Sequence, residues 1–187
     1  MNKIEMKLPK SRIGILIGKD GTTKKKVEEV TNCKIEINPK TETVKIECKD
    51  AIGFLKAKDI VNAIAVGFNA EIALKLLEGD FTILEVIDLN DFVPSSSLQR
   101  IKGRIIGKEG RMKKTIEEML AVDVSIQNKT VAIIGEPENV NAAREAIMML
   151  IEGAQHSTVQ RFLERKRRDI KMRSFDYEWL AYNNRER

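Results

Sequence analysis

Apolar positions along this chain switch between a spacing of two and a spacing of three to four, and the switches come in the same order twice. Ile4, Met6 and Leu8 alternate with polar residues as in a half-buried strand, and Ile13, Leu16 and Ile17 follow at helical spacing. A second helix has Val27 and Val30 inward. Lys34 to Asn38 and Thr43 to Cys48 alternate again as two strands joined by a Pro39-Lys-Thr-Glu turn, and a helix capped by Asp50 ends near Gly67. After a short helix over Asn69 to Gly79, with Ile72, Leu76 and Leu77 on one face, the series restarts with a strand from Phe81 to Leu89. Leu98, Ile101, Ile105 and Ile106 mark one helix, and Ile116, Met119 and Leu120 mark the next. Strands at Asp123 to Gln127 and Thr130 to Ile134 follow, then a helix from about Val140 to Glu152.

Punctuation agrees with the periods. Pro9 stops the first strand and Ser11 is placed to cap the helix after it; Thr22 or Thr23 opens the next helix, and Asn32, which tolerates a left-handed backbone, ends it. Val93-Pro-Ser-Ser-Ser is placed to cap the helix around Leu98, and Gly135-Glu-Pro-Glu leads into the helix at Val140.

The order repeats because the sequence does. Gly14-Ile-Leu-Ile-Gly18-Lys19-Asp20-Gly21-Thr-Thr-Lys24-Lys25 and Gly103-Arg104-Ile-Ile-Gly107-Lys108-Glu109-Gly110-Arg111-Met-Lys113-Lys114 lie 89 residues apart. Correspondence extends through Val27-Glu28-Glu29 and Ile116-Glu117-Glu118, and through Ile35 and Ile37 against Val124 and Ile126. A fixed-period repeat sets the architecture: two copies of one small α+β module. The expected boundaries are 1–66 for the first module, 67–80 for an acidic helical connector, 81–153 for the second module, and 154–187 for a basic C-terminal helix with an aromatic tail.

Composition narrows the class. With 42% hydrophobic and 33% charged residues the 187-residue chain reads as soluble and globular, and no run approaches the roughly 20 apolar residues of a membrane helix. Met1-Asn-Lys-Ile-Glu lacks the apolar stretch of a signal peptide, so a cytoplasmic location is expected. Cys33 and Cys48 fall at the start and end of neighbouring strands, where a disulfide is geometrically feasible. A reducing compartment and the absence of a Cys-x-x-Cys pair make free, buried thiols the expectation.

Charge is unevenly placed. Residues 161–173 hold seven cations against Glu164 and Asp169, which equals the +5 of the whole chain, whereas residues 67–92 hold six carboxylates against Lys75. The basic excess belongs to the last helix, expected from Ser157 to about Arg173. The acidic connector faces solvent or a basic partner.

A Gly-x-x-Gly between two helices lets backbone amides approach a phosphate, with the positive end of the next helix behind them. One such motif is an ordinary turn. Two, each preceded by an apolar pair and followed by a Lys-Lys helix and two strands, point to clamps on a nucleic-acid backbone. A phosphate-binding loop of the nucleotide-hydrolase kind is excluded, since only three residues separate Gly14 from Gly18 and an acidic residue follows the lysine. Catalysis finds no support: one histidine, no metal-spaced Cys/His cluster and no convincing carboxylate pair leave nothing to activate water. Neither cofactor nor metal is expected.

The pattern Gly-Lys-acidic-Gly within strand-helix-turn-helix-strand-strand-helix resembles the KH (K-homology) domain of the eukaryotic, type I arrangement, whose loop clamps roughly four nucleotides of single strand. The resemblance is closer in the second copy, where Val131-Ala-Ile-Ile-Gly135-Glu-Pro-Glu matches the KH ending; the first has Cys48 where that glycine stands. It implies RNA contact by Gly14, Gly18, Lys19, Asp20, Gly21, Lys24 and Lys25. In the second copy it implies contact by Gly103, Arg104, Gly107, Lys108, Glu109, Gly110, Arg111, Lys113 and Lys114. Lys24 and Lys113 stand where an apolar residue is usual, which favours contacts to phosphate or a base edge. Ile13, Ile17, Ile35, Ile37, Ile106, Val124 and Ile126 would line the grooves or pack as plain core. Arg165, Arg167, Arg168 and Lys171 would add phosphate contacts while Val159, Phe162 and Leu163 pack the basic helix onto the second module, and Phe175, Tyr177, Trp179 and Tyr182 would dock on the protein or stack on bases.

The connector from Gly67, the Leu84-Glu-Val-Ile-Asp-Leu strand, the second loop and the His156-Ser-Thr-Val tail together resemble the archaeal partner-of-Nob-one family, also called Dim-two and related to Krr-one. That resemblance implies single-stranded RNA binding near the 3′ end of small-subunit ribosomal RNA during its maturation. The implied partners are the processing endonuclease and the alpha subunit of initiation factor two. A KH-fold protein scaffold, or a translational regulator acting on another RNA, uses the same residues and stays open.

Overall fold

The computed structural model describes residues 2–79 and 81–185, with side chains as far as Ser174; the four tail aromatics lie outside the described side chains. The first series of elements is β1 (Asn2–Lys7), α1 (Lys10–Ile17), a 3-10 turn at Lys19–Gly21, α2 (Thr22–Thr31), β2 (Cys33–Asn38), β3 (Thr43–Cys48) and α3 (Ala51–Ala65). After α4 (Ala70–Glu78) come β4 (Ile83–Asp88), α5 (Leu98–Ile106), a 3-10 turn at Lys108–Gly110, α6 (Arg111–Leu120), β5 (Asp123–Gln127), β6 (Thr130–Gly135) and α7 (Pro137–Ile151), then α8 (His156–Arg185). The sheets have the same topology, β1-β3-β2 and β4-β6-β5, each three-stranded and antiparallel. By contacts the chain divides into one unit of Met1–Asp88 with Ser125–Ile134 and another of Leu89–Val124 with Gly135–Arg187. Among the described residues no helix is long and apolar enough to cross a membrane.

The alternation in the sequence becomes burial. In β2 and β3, Cys33, Ile35, Val44, Ile46 and Cys48 are buried while Lys34, Glu36 and Lys45 face solvent. Their register pairs Ile35 with Ile46 and Cys33 with Cys48. Leu8, Leu16, Val27, Ile60 and Ile64 complete this core, to which Ala132 and Ile134 of β6 also belong. Asp50 caps α3 by accepting from Gly53 N at 2.7 Å, and Asn69 caps α4 by accepting from Ile72 N at 2.9 Å.

Several local expectations change. Val30 is 54% exposed, because α2 packs along Thr23, Val27 and Thr31, at intervals of one turn, and Thr31 satisfies its own hydroxyl by donating to Val27 O (2.6 Å). Neither Ser11 nor the Ser95–Ser97 stretch makes a capping bond: α1 starts at Lys10 directly after Pro9, and Pro94 precedes a 3-10 turn. Helix α7 begins at Pro137, which a first helical turn accommodates because its amide would have no intrahelical partner. Helix α8 continues to Arg185, past the expected end near Arg173, since no Gly or Pro interrupts it. Cys33 and Cys48 are not free thiols but a disulfide, with Cα atoms 4.4 Å apart. Their direct pairing across β2 and β3 brings the two side chains together.

On α3, burial raises the Asp59 carboxyl above its usual range, opposed in part by Lys58. A folded-state value above the unfolded one means stability is greatest below the unfolded carboxylate range and declines as pH rises through the folded value. Asp59→Asn is therefore expected to raise the thermal midpoint at neutral pH, with the gain vanishing near about pH 3, below the ordinary aspartate value. Thermal scans of both proteins at the two pH values check this; a neutral-pH loss would contradict it.

Candidate nucleic-acid interface

Both Gly-x-x-Gly turns have the same backbone. Gly18 and Gly107 take φ/ψ of 74°/175° and 75°/173°, Asp20 and Glu109 take 54°/27° and 54°/28°, and Gly21 and Gly110 take 76°/12° and 75°/8°. The left-handed angles at both loop glycines explain their identity, but space assigns them different work. A Cβ on Gly18 would meet Thr23 Oγ1 at 2.3 Å and its amide at 2.8 Å, and one on Gly107 would meet the Met112 amide at 2.8 Å. These glycines seat the turn on its own helix. Around Gly110 there is nothing within 4 Å, and around Gly21 only Lys25 Cε at 3.8 Å, so the second glycine of each turn faces open space. Gly14 and Gly103, one turn earlier, are equally open.

No side chain caps the start of α2 or α6, so the helix ends behind the turns keep their positive partial charge exposed. Lys19 and Lys108, at the turns, are exposed and, like Lys25, have no carboxylate within ion-pair distance among the described residues. Arg111 differs: its guanidinium holds Glu109 at 2.8 Å. Lys114 pairs with Glu118 at 3.6 Å.

Lys24 and Lys113 acquire a structural account. Glu28 accepts from Ile35 N at 2.7 Å and Glu117 accepts from Val124 N at 2.9 Å, so in each copy a helix carboxylate fastens the adjoining strand. Lys24 and Lys113 reach those carboxylates at 3.7 and 3.4 Å. The two glutamates were missed by sequence reasoning, although the repeat contains both and their seven-residue spacing to the strand is the same.

Among groove candidates, Ile13, Ile35 and Val124 are core side chains with at most 6% exposure. Ile17, Ile37, Ile106 and Ile126 keep accessible surface. Arg104 is not at the loop. Its Nε and Nη2 donate to Leu150 O (3.2 Å) and Ala154 O (2.6 Å), and its own carbonyl accepts from His156 Nε2 (2.9 Å), which ties α5 to the end of α7 and the start of α8. In the other unit Arg12 does comparable work, donating to Gly67 O (3.1 Å) and Gln127 Oε1 (2.6 Å). Helix α8 buries Val159, Phe162 and Leu163 as expected.

Residues 83–168 match the eukaryotic type KH domain (type I) in its PNO1 second-domain form, and residues 3–63 match the KH domain. A KH domain-containing protein of Methanocaldococcus jannaschii is 47% identical over 91% of this chain and 77% of its own length. The aDim2p chain in a crystal structure of an a/eIF2alpha-aDim2p-rRNA complex from Pyrococcus horikoshii is 44% identical, with a TM-score of 0.81 over 90% of this chain and 95% of that one. The chain belongs to the archaeal Dim2/PNO1 family. Its two modules are tandem KH domains. A eukaryotic member, the pre-rRNA-processing protein PNO1 of Chaetomium thermophilum, is 30% identical over 70% of this chain, which spans about half (54%) of that protein's length.

Proposed function

We propose that this Dim2/PNO1-family protein binds single-stranded RNA through its Gly-x-x-Gly loops and serves the maturation of small-subunit ribosomal RNA at its 3′ end. The loops belong to modules spanning 1–66 and 81–153. The observation that carries the reading is that both copies keep the same left-handed turn with an open second glycine and a lysine without an ion-pair partner among the described residues, the geometry by which amides and an ammonium reach a phosphodiester. Names of relatives add the target: one is a pre-rRNA-processing protein, and another was crystallised with rRNA and a/eIF2alpha. The initiation-factor alpha subunit and the processing endonuclease are the protein partners of this reading. Binding without catalysis is part of this reading.

Base edges are accessible to a KH groove only when splayed from a partner strand. A labelled single strand carrying the rRNA 3′ sequence is therefore expected to be displaced by the same strand unlabelled and not by its annealed duplex. Equal competition by duplex would overturn the groove reading.

A further inference from the structure

We propose that the cleft between α6 and α8 is a second, base-indifferent site for phosphodiester backbone, separate from the groove of the second module and occupied by RNA flanking the segment held there. The inference rests on the single-strand reading above. Cations of α8 are not equivalent. Lys166 and Arg173 turn towards α7, where Glu145 (2.9 Å) and Glu138 (2.5 Å) neutralise them, and Arg165 lies over the Phe162 ring at 5.9 Å. Arg167, Arg168 and Lys171 instead line an open cleft of about 390 Å³ with Met119 and Glu164. No carboxylate pairs with these three among the described residues, so three cations face a space containing one acid.

The phase of α6 separates this cleft from the groove. Met112, Ile116 and Leu120 point into the core, and Glu117 turns to β5, where it holds the Val124 amide. Met119, two residues further, lies about 200° round the helix on the opposite flank. Between the flanks runs the outer face of α6, where Lys114 and Glu118 cancel one another. A strand seated against β5 does not reach the cleft without crossing that neutral face; a longer or folded RNA can present a second stretch of backbone to it. Arginine and lysine on an exposed helix contact phosphates without reading bases. The flanking segment is either unpaired strand or a duplex stem.

The test uses the full chain with Arg167→Gln, Arg168→Gln and Lys171→Gln, which retain helix propensity and leave Val159, Phe162 and Leu163 in place. An unchanged thermal midpoint shows that α8 stays packed. Three RNAs are compared: a single strand of about six nucleotides, enough for one KH clamp of roughly four, the same strand with an unpaired extension, and the same strand with a hairpin. The short strand should bind the variant within about two-fold of wild type. Loss of three phosphate contacts should flatten the log-log salt slope by about 2 for the unpaired extension or about 2.7 for the hairpin, and which one responds identifies the source. Unchanged slopes for both long RNAs overturn the proposal and assign the cleft to an acidic protein surface. A comparable loss with the short strand also overturns it, by making the cleft part of the groove. If wild type ignores the short strand but binds the long RNAs with a cleft-dependent slope, the groove reading fails, and with it the placing of this RNA beside a groove-held segment, while the cleft stands as a backbone site.

Discussion

Replacing Lys108 and Glu109 together by Asp is expected to weaken single-stranded RNA binding by about 10- to 100-fold, the equivalent of losing one charged hydrogen bond of about 1.5–3 kcal/mol. The variant should fold, since Glu109 occupies a left-handed backbone that Asp tolerates well, and the same position in the first loop is Asp20. Lys19→Asp is the matching change in repeat one. From sequence, Arg104, Lys108 and Arg111 surround the second loop where Ile15, Lys19 and Thr22 stand in the first, an excess of two cations. Structure removes one of them, because Arg104 is spent on the carbonyls of Leu150 and Ala154. Arg111 remains, held by an exposed pair to Glu109 that is worth about 0–1 kcal/mol and can be redirected to a phosphate. The second loop should therefore still lose more than the first, while the difference in salt slope narrows to about 0.7, one contact to a single strand. Filter binding over a salt series measures both quantities. Wild-type affinity in both variants would remove the loops from the binding site, and a larger loss from Lys19→Asp would reverse the ranking.

The repeat made most of this fold legible. Because each loop is read against the other, the Gly-x-x-Gly turns, the helices before and after them and the strand pairs could be placed without any tertiary information. Asn32 marks a left-handed stop by residue type, and its counterpart Ala121 takes the same conformation at φ 50° with no residue-type signal, so only the repeat reveals it. What escaped depends on where long side chains go. Arg104 looked like a loop cation because it precedes Gly107 by three residues, yet its side chain runs back to the end of α7, 46 and 50 residues away in sequence. Lys24 and Lys113 read from sequence as phosphate contacts, whereas Glu28 and Glu117 each hold both one of these lysines and a strand amide. Seven candidate groove aliphatics look alike by period, and depth separates them, since a helix or strand pattern gives the face of a residue and not its distance from the surface.

Cys33→Ala with Cys48→Ala is expected to lower the stability of the first unit by about 3 kcal/mol, the loop-closure contribution of a crosslink spanning about 15 residues. The observed sequence separation is 15. Compartment arguments favoured free thiols, but the repeat carried a signal against them. Cys33 corresponds to Val122 and Cys48 to Gly135, and in the second module these two touch: a Cβ on Gly135 would lie 2.8 Å from Val122 Cγ1. One copy fills that junction with a valine against a glycine, and the other with two cysteines in direct register. Both sulfurs are buried, with Cys33 5% and Cys48 2% exposed, so a reductant should reach them only when the unit opens. Denaturant unfolding of wild type without reductant should then give the higher midpoint, and wild type equilibrated with reductant through the transition should approach the double-alanine variant. Intact mass of the untreated protein should be lower by two hydrogens than after reduction. If reductant leaves the midpoint of the first unit unchanged, the crosslink contributes nothing and the two cysteines act as ordinary core side chains.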